Sequence, residues 1–281
     1  MYRIIDKRDL NEEVVQMVID APFVARKALP GQFIIFRTTK YGERVPLTIA
    51  DYDRDRGTVT IIYQKVGKST RELGNFQVGD EIHDLIGPLG VASHLDQFKK
   101  VCVIGGGLGT AIAFPQAKWM HNNGAEVDII AGFRNESLVI LEEEMKLNAS
   151  RTFITTDDGS YGEKGFVSDV LRRLIEEGAK YDVVIAIGPL IMMKVVCAVT
   201  KEFDVKTIVS MNSIMVDGTG MCGACRLTVG GETKFACVDG PDFDGHLVDF
   251  DEAMQRGAMY RTQERAADEH YCKLIGGNRR G

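Results

Sequence analysis

The chain predicts a β-barrel plus α/β fold: an antiparallel barrel, a Rossmann-like parallel sheet, and a small cysteine-rich module at the C-terminal end. Three observations predict it. The first hundred residues alternate short β-rich runs with turns, the texture changes at Lys99 to strands alternating with helical stretches, and three of the six cysteines gather at Cys222, Cys225 and Cys237. Short runs separated by turns pair with their neighbours as antiparallel strands, whereas strand-helix alternation demands parallel pairing under helical cover. The expected divisions are 1–97 for the barrel, 98–211 for the α/β domain, 212–250 for the module and 251–281 for a terminal helix and tail.

The barrel strands are expected at 14–19, 32–37, 47–51, 58–65 and 81–86, short β-rich runs that alternate with turns. The α/β domain opens with the apolar strand Val101-Cys102-Val103-Ile104, a glycine loop and a helix through Trp119. Strands at 127–131, 151–155 and 182–187 then alternate with helices at 138–147, 166–177 and 191–203, and 208–211 is the last strand. Arg226-Leu227-Thr228-Val229, Gly230-Gly231 and Thr233-Lys234-Phe235-Ala236 read as a hairpin that carries Cys237. One helix is expected over 250–270, and 276–281 reads as a frayed tail.

At 281 residues the chain is long enough for two ordinary domains and a small module. A hydrophobic fraction of 44% and a charged fraction of 26% describe a globular protein, not a disordered one. The net charge of −6, the pI near 5.5 and the lack of a Lys/Arg run argue against a nucleic-acid partner. No membrane span is visible, and the opening Met1-Tyr2-Arg3-Ile4-Ile5-Asp6-Lys7 lacks the apolar core of a signal peptide, so a cytoplasmic location is expected. Cys102 and Cys197 read as reduced core residues, and Cys272 carries no message.

The spacing C-x2-C-x11-C points to an iron–sulfur centre. A four-thiolate plant-type site would need a Cys five residues before Cys222, and that position holds Asp217. Glycines at 218, 220 and 223 let the backbone wrap closely, so three thiolates and one carboxylate can face iron. The expectation is a [2Fe-2S] site held by Asp217, Cys222, Cys225 and Cys237. A structural zinc site, a redox dithiol and a plain Asp-Gly turn are the alternatives. The second feature is the loop Gly105, Gly106, Gly107, Leu108, Gly109 and Thr110, where missing side chains and a helix N-terminus suit a pyrophosphate. It lacks the strict G-x-G-x-x-G spacing, and close helix–strand packing is its competing explanation.

Arg44-Val45-Pro46-Leu47-Thr48 and Val66-Gly67-Lys68-Ser69-Thr70, with Pro30-Gly31-Gln32-Phe33 upstream, resemble the flavin-binding signatures of the ferredoxin–NADP reductase superfamily. The resemblance implies that the barrel binds FAD: Arg44 neutralises phosphate, Pro46, Leu47 and Thr48 meet the ring edge, and Val66, Gly67, Lys68, Ser69 and Thr70 receive the pyrophosphate. With Asp157, Asp158, Gly159, Gly188 and Pro189 included, the order of motifs is similar to that of the electron-transfer subunits of dihydroorotate dehydrogenase B. It is closer still to the small subunits of NADH-dependent reduced ferredoxin:NADP oxidoreductases, which resemble this chain in carrying Asp where the dihydroorotate subunits carry Cys.

That resemblance implies NAD(H) along the strand ends of the parallel sheet, hydride exchange with FAD, and single electrons passing through the [2Fe-2S] cluster. It further implies a large glutamate-synthase-like partner bearing a second FAD and [4Fe-4S] clusters, with ferredoxin served by the complex through electron bifurcation. The dihydroorotate-linked subunit is the first alternative, and a redox-sensing scaffold subunit without turnover is the second. Arg134 at the end of the second strand keeps a 2′-phosphate reader open, although the resemblance favours NAD.

Overall fold

The computed structural model describes residues 2–274 and contains two seven-stranded sheets and a two-stranded hairpin. The tail at 276–281 and the side chain of Cys272 lie outside the described residues. The first sheet comprises β1 (Tyr2–Asp9), β2 (Val14–Asp20), β3 (Phe33–Arg37), β4 (Val45–Asp53), β5 (Thr58–Gln64), β6 (Glu81–Ile82) and β7 (Asp84–Leu89), with helices α1 (Pro22–Ala25) and α2 (Lys68–Gly74) in its connections. Its order is β6-β1-β2-β5-β4-β3-β7. The two edge strands β6 and β7 are consecutive in the chain, joined through His83 alone, so the sheet has to curl until its edges approach. Val15, Met17 and Ile19 of β2 and Val59, Ile61 and Tyr63 of β5 are fully buried inside the curl, as period-two alternation requires. Val14, Ala50 and Ile62 pack instead into the core on one face of the second sheet, and this docks the barrel onto the α/β domain.

The second sheet uses β8 (Lys100–Gly106), β9 (Glu126–Phe133), β10 (Arg151–Thr156), β11 (Glu163–Lys164), β12 (Val183–Ile187), β13 (Thr207–Ser210) and β16 (Asp242–Asp244). The order is β11-β10-β9-β8-β12-β13-β16, parallel throughout except for β16, which runs antiparallel to β13. Helices α3 (Gly109–Asn122) and α4 (Glu142–Leu147) cover one face, and α5 (Val167–Glu176) and α6 (Leu190–Glu202) the other. Strands β8 and β12 are buried nearly end to end, the continuous apolar run expected of a sheet covered on both sides. Cys102 and Cys197 are free and buried in this core.

The module is the hairpin β14 (Arg226–Val229) and β15 (Glu232–Phe235), turned through Gly230-Gly231, with α7 (Phe250–Gly257) and α8 (Arg261–Leu274) following. Cys225, Leu227, Ala236 and Cys237 share one apolar core with Cys102, Ile104 and Val209 of the nucleotide sheet, so the module is fused to that sheet. Among the described residues no helix is long and apolar enough to cross a membrane.

Three expectations are corrected. The helix expected at 138–147 is a single 3-10 turn at Glu136–Leu138 followed by α4, because Leu141 sits at φ 59° and breaks the helical path. The single helix at 250–270 is two, interrupted between Gly257 and Arg261. The sheet is mixed, because β16 returns from the module to close its edge.

Candidate functional site

Strand β8 has β9 on one side and β12 on the other, so the connections leaving it diverge and open a crevice at the strand ends, where open α/β sheets bind ligands. A cavity of about 980 Å³ occupies that crevice and runs across to the barrel. From the barrel it is lined by Pro46, Leu47, Thr48, Val66 and Thr70. From the nucleotide domain it is lined by Gly106, Gly107, Leu108, Gly109, Asp157, Gly188 and Pro189. Two sets of residues from different parts of the chain thus face one space, of a size typical of cofactor pockets.

The glycines of the α/β wall are set by close backbone approach. A Cβ on Gly188 would lie 3.1 Å from Gly106 Cα, and one on Gly106 would lie 3.0 Å from Pro189 Cδ. A Cβ on Gly105 would run into Thr110, which is why those two positions hold loop and helix together without lining the cavity. Gly107 has open space where a Cβ would point, and this leaves the loop bare toward the cavity.

At the barrel end the predicted residues divide. Thr70 Oγ1 accepts from the N–H groups of Val66 (3.2 Å) and Gly67 (3.1 Å) and so shapes the turn into α2. Ser69 is buried and its hydroxyl donates to Glu43, so it is not free for a ligand. Arg44, Gly67 and Lys68 lie off the cavity wall. Asp158 and Gly159 also turn away: Asp158 accepts from Ser160 N–H (2.9 Å) and Oγ (2.7 Å), and those bonds lower its pKa. Only Asp157 of that trio reaches the wall.

The loop from Asp217 to Cys225 follows the wall residues Met211, Asn212, Ser213 and Met215 in the chain. Asp217 Oδ1 stands 3.4 Å from Cys222 Sγ, and Cys225 Sγ stands 3.3 Å from Cys237 Sγ. The first pair is exposed and the second buried. Among the described residues no three Cys, His, Asp or Glu side chains close on a single point. Two pairs are what a two-iron cluster uses, since four protein ligands divide two to each iron, whereas a mononuclear zinc site needs all its ligands at one centre. The donor set therefore fits the [2Fe-2S] group better than zinc. Asp217 also accepts from Thr219 N–H (3.1 Å), Met221 N–H (3.2 Å) and Cys222 N–H (3.1 Å), and these bonds, that from Thr219 foremost, hold its pKa down. The carboxylate is thus ionised as a ligand must be, while it shapes its own turn. Gly218, at φ +75°, packs against Ile35 and Leu89 of the barrel, where a Cβ would not fit.

A second cavity of about 190 Å³ adjoins Cys222. Met211, Asn212 and Ser213 line both this cavity and the large one, so this segment is the partition between the cofactor crevice and the cluster loop. Sequence reasoning missed that partition, along with Phe33, Met192 and Pro241 on the large cavity's wall. Phe33 belongs to the Pro30-Gly31-Gln32-Phe33 signature and could have been found there. Residues 211–215 show no periodicity and no motif, so only the fold reveals them. A further buried group is Asp242, which accepts from Ser93 Oγ and from Gln116 Nε2 (3.0 Å) where barrel, α3 and β16 meet; burial raises its pKa.

Residues 212–249 match the family model described as the iron–sulfur cluster binding domain of dihydroorotate dehydrogenase B. The chain is 44% identical over 276 residues to a homolog of the dihydroorotate dehydrogenase B (NAD(+)) electron transfer subunit from Thermotoga maritima, covering 98% of this chain and 97% of that one. It is similar to a solved structure of NADH-dependent reduced ferredoxin-NADP oxidoreductase, reported for its insight into flavin-based electron bifurcation, with TM-score 0.92, 42% identity, and coverage of 96% and 98% of the two chains. The ferredoxin reductase of carbazole 1,9a-dioxygenase shares the fold at TM-score 0.59 and 19% identity, over 73% of this chain and 65% of that one.

Proposed function

The chain belongs to the family of dihydroorotate dehydrogenase B electron-transfer subunits, and from that premise we propose that it is the FAD- and [2Fe-2S]-bearing subunit of an NADH-dependent ferredoxin:NADP oxidoreductase. When bound, FAD takes the two electrons of a hydride from NADH and the cluster carries them onward one at a time. One observation carries the reading: Met211, Asn212 and Ser213 line both the crevice and the cavity beside Cys222. A carrier of hydride and a carrier of single electrons have to stand this close if one is to feed the other.

The chain's own residues do the binding and orienting. Pro46, Leu47 and Thr48 receive the flavin ring, and Thr70 orders the turn that meets the pyrophosphate. Gly106, Gly107, Gly109, Gly188 and Pro189 give the dinucleotide a bare backbone to lie on, and Asp157 meets its ribose. Arg44 and Lys68, off the wall, are the charges assigned to phosphate in this reading. Phe33 and Met192 help to exclude water from the hydride path. Asp217, Cys222, Cys225 and Cys237 hold the cluster, Asp217 as a carboxylate already ionised. Free buried Cys102 and Cys197 fit a reducing, cytoplasmic setting.

The partner proposed is a large glutamate-synthase-like subunit with FAD and [4Fe-4S] clusters. The family match over 212–249 favours one other partner, the catalytic subunit of a dihydroorotate dehydrogenase. Affinity purification of the full chain from its native cells decides between them: a co-purifying flavoprotein rich in [4Fe-4S] clusters supports the proposal, and a dihydroorotate-oxidising one replaces it. NADH-driven reduction of a one-electron acceptor by the isolated chain is expected, and its absence in FAD- and iron-loaded protein would point to the scaffold role.

A further inference from the structure

Two guanidinium groups bond the Cys222-Gly223-Ala224-Cys225 loop, and neither has a role in the site as described so far. Arg226 Nη1 donates to Gly223 O and Arg256 Nη2 donates to Ala224 O, each at 3.1 Å. Both side chains line the smaller cavity together with Cys222. Arg226 is the first residue after the loop, but Arg256 is thirty-two positions away from Ala224 and arrives through the fold.

Its placement is built. Helix α7 is fastened to the hairpin at two points: Asp249 N–H donates to Thr228 O (2.9 Å), and Glu252 Oε2 accepts from Thr228 N–H (3.0 Å). Ala253 of the same helix is buried. Arg256 lies one turn beyond Glu252, on the same face, so fixing Glu252 on the hairpin aims Arg256 at the cluster loop. Both guanidiniums bond main-chain carbonyls, and among the described residues neither is seen in an ion pair with a carboxylate, so each brings its positive charge to the loop. The carbonyls they hold would otherwise present their negative ends beside the thiolates.

We infer that Arg256, assisted by Arg226, raises the reduction potential of the cluster held by Asp217, Cys222, Cys225 and Cys237. This rests on the [2Fe-2S] reading above. With two ferric ions, two sulfides, three thiolates and one carboxylate, the oxidised cluster is a dianion. It takes one electron from the flavin side and becomes a trianion, with no bond made or broken and no proton required. A fixed positive charge bonded to the cluster loop favours the trianion more than the dianion, and net charge and hydrogen bonding near the cluster are the protein's means of setting its potential. Arg256 is a positioning and tuning residue, which touches the loop and not the reacting atoms of NADH or FAD.

The test is an anaerobic potentiometric titration of the full-length FAD- and iron-loaded chain, followed by the EPR signal of the reduced cluster, for wild type, Arg256→Gln, Arg256→Lys and Arg226→Gln. Arg256→Gln is expected to disfavour cluster reduction about tenfold, a fall of about 59 mV for one electron. Arg256→Lys, which keeps the charge, is expected to stay near wild type, and Arg226→Gln to move the same way as Arg256→Gln. Unchanged potential in Arg256→Gln, with iron content and EPR line shape intact, overturns the inference. Equal falls in the Gln and Lys variants overturn it too, since bond geometry and not charge would then be responsible. Should Arg256→Gln fail to hold its cluster, Arg226→Gln set against Arg256→Lys decides by the same criteria. An absent iron signal in the loaded wild type would overturn the [2Fe-2S] reading itself.

Discussion

Gly109 offers a perturbation whose effect can be worked out atom by atom. It begins α3 directly against the end of β12, and a Cβ there would lie 2.7 Å from Gly188 Cα and 2.8 Å from the carbonyl carbon of Ile187. Ordinary carbon contacts are about 3.5–4.0 Å, so Gly109→Ala falls short by roughly 1 Å against backbone that cannot rotate away. The start of α3 and the Gly188-Pro189 turn must move apart by about that distance. Overpacking of this kind costs about 1–3 kcal/mol, and alanine's helix preference returns at most about 1 kcal/mol. A net loss of up to about 3 kcal/mol is expected. Because Gly109 and Gly188 both line the crevice, the displacement also spoils the dinucleotide's bed. NADH binding should weaken by about tenfold for each 1.4 kcal/mol of that strain which seating NADH in the crevice has to restore. The assay is rapid-mixing measurement of flavin bleaching against NADH concentration, with a thermal melt alongside. Gly124→Ala is the control: Gly124 sits at φ +84° beyond the far end of α3 with open space around its Cβ position, so alanine there is strained without moving the crevice. It should lose stability and keep NADH affinity. Wild-type affinity in Gly109→Ala, or equal weakening in both variants, would refute the reasoning.

Asp242 makes stability depend on pH. Its folded pKa is raised by burial, so between the unfolded aspartate value of about 3.9 and that raised value the folded chain holds a proton the unfolded chain has lost. Wild type therefore loses stability as pH rises through that window, and Asp242→Asn should be relatively more stable near neutral pH than at pH about 4, as melts across pH would show. Asp128, 1% exposed, accepts from Arg151 Nε (2.9 Å) and Nη2 (2.6 Å) and from Tyr181 OH (2.6 Å). Breaking a buried pair from one side costs about 3–5 kcal/mol, and Arg151 is half exposed, so Asp128→Asn should cost toward the lower end of that range in denaturant unfolding, with the slope unchanged.

The strands that carry their own pattern were legible in the sequence. Alternation in β2 and β5 and the apolar run of β8 follow from local burial, and the glycine loop and C-x2-C-x11-C spacing follow from chemistry that needs those residues. Strand β1 was not legible, because Asp6, Lys7, Arg8 and Asp9 mask its pattern. Three-residue β16 was not legible either, since its pairing with β13 is decided by where the module folds back and not by Asp242-Phe243-Asp244 itself. The same holds at the site: Leu47, Gly107 and Cys222 announce themselves, whereas the Met211–Ser213 partition and Arg256 acquire their roles only through neighbours distant in the chain. Ser69 illustrates the opposite case, a motif residue whose hydroxyl the fold gives to Glu43.

The central claim is that hydride electrons entering the crevice leave one at a time through the Asp217–Cys237 module. The most direct measurement is EPR of the anaerobic, FAD- and iron-loaded full-length chain during stepwise addition of NADH, with flavin absorbance recorded in parallel. The account predicts that the flavin bleaches and a [2Fe-2S] signal grows with the NADH added. Flavin that bleaches fully while the iron signal stays absent, even under excess NADH and chemical reductant, would contradict it.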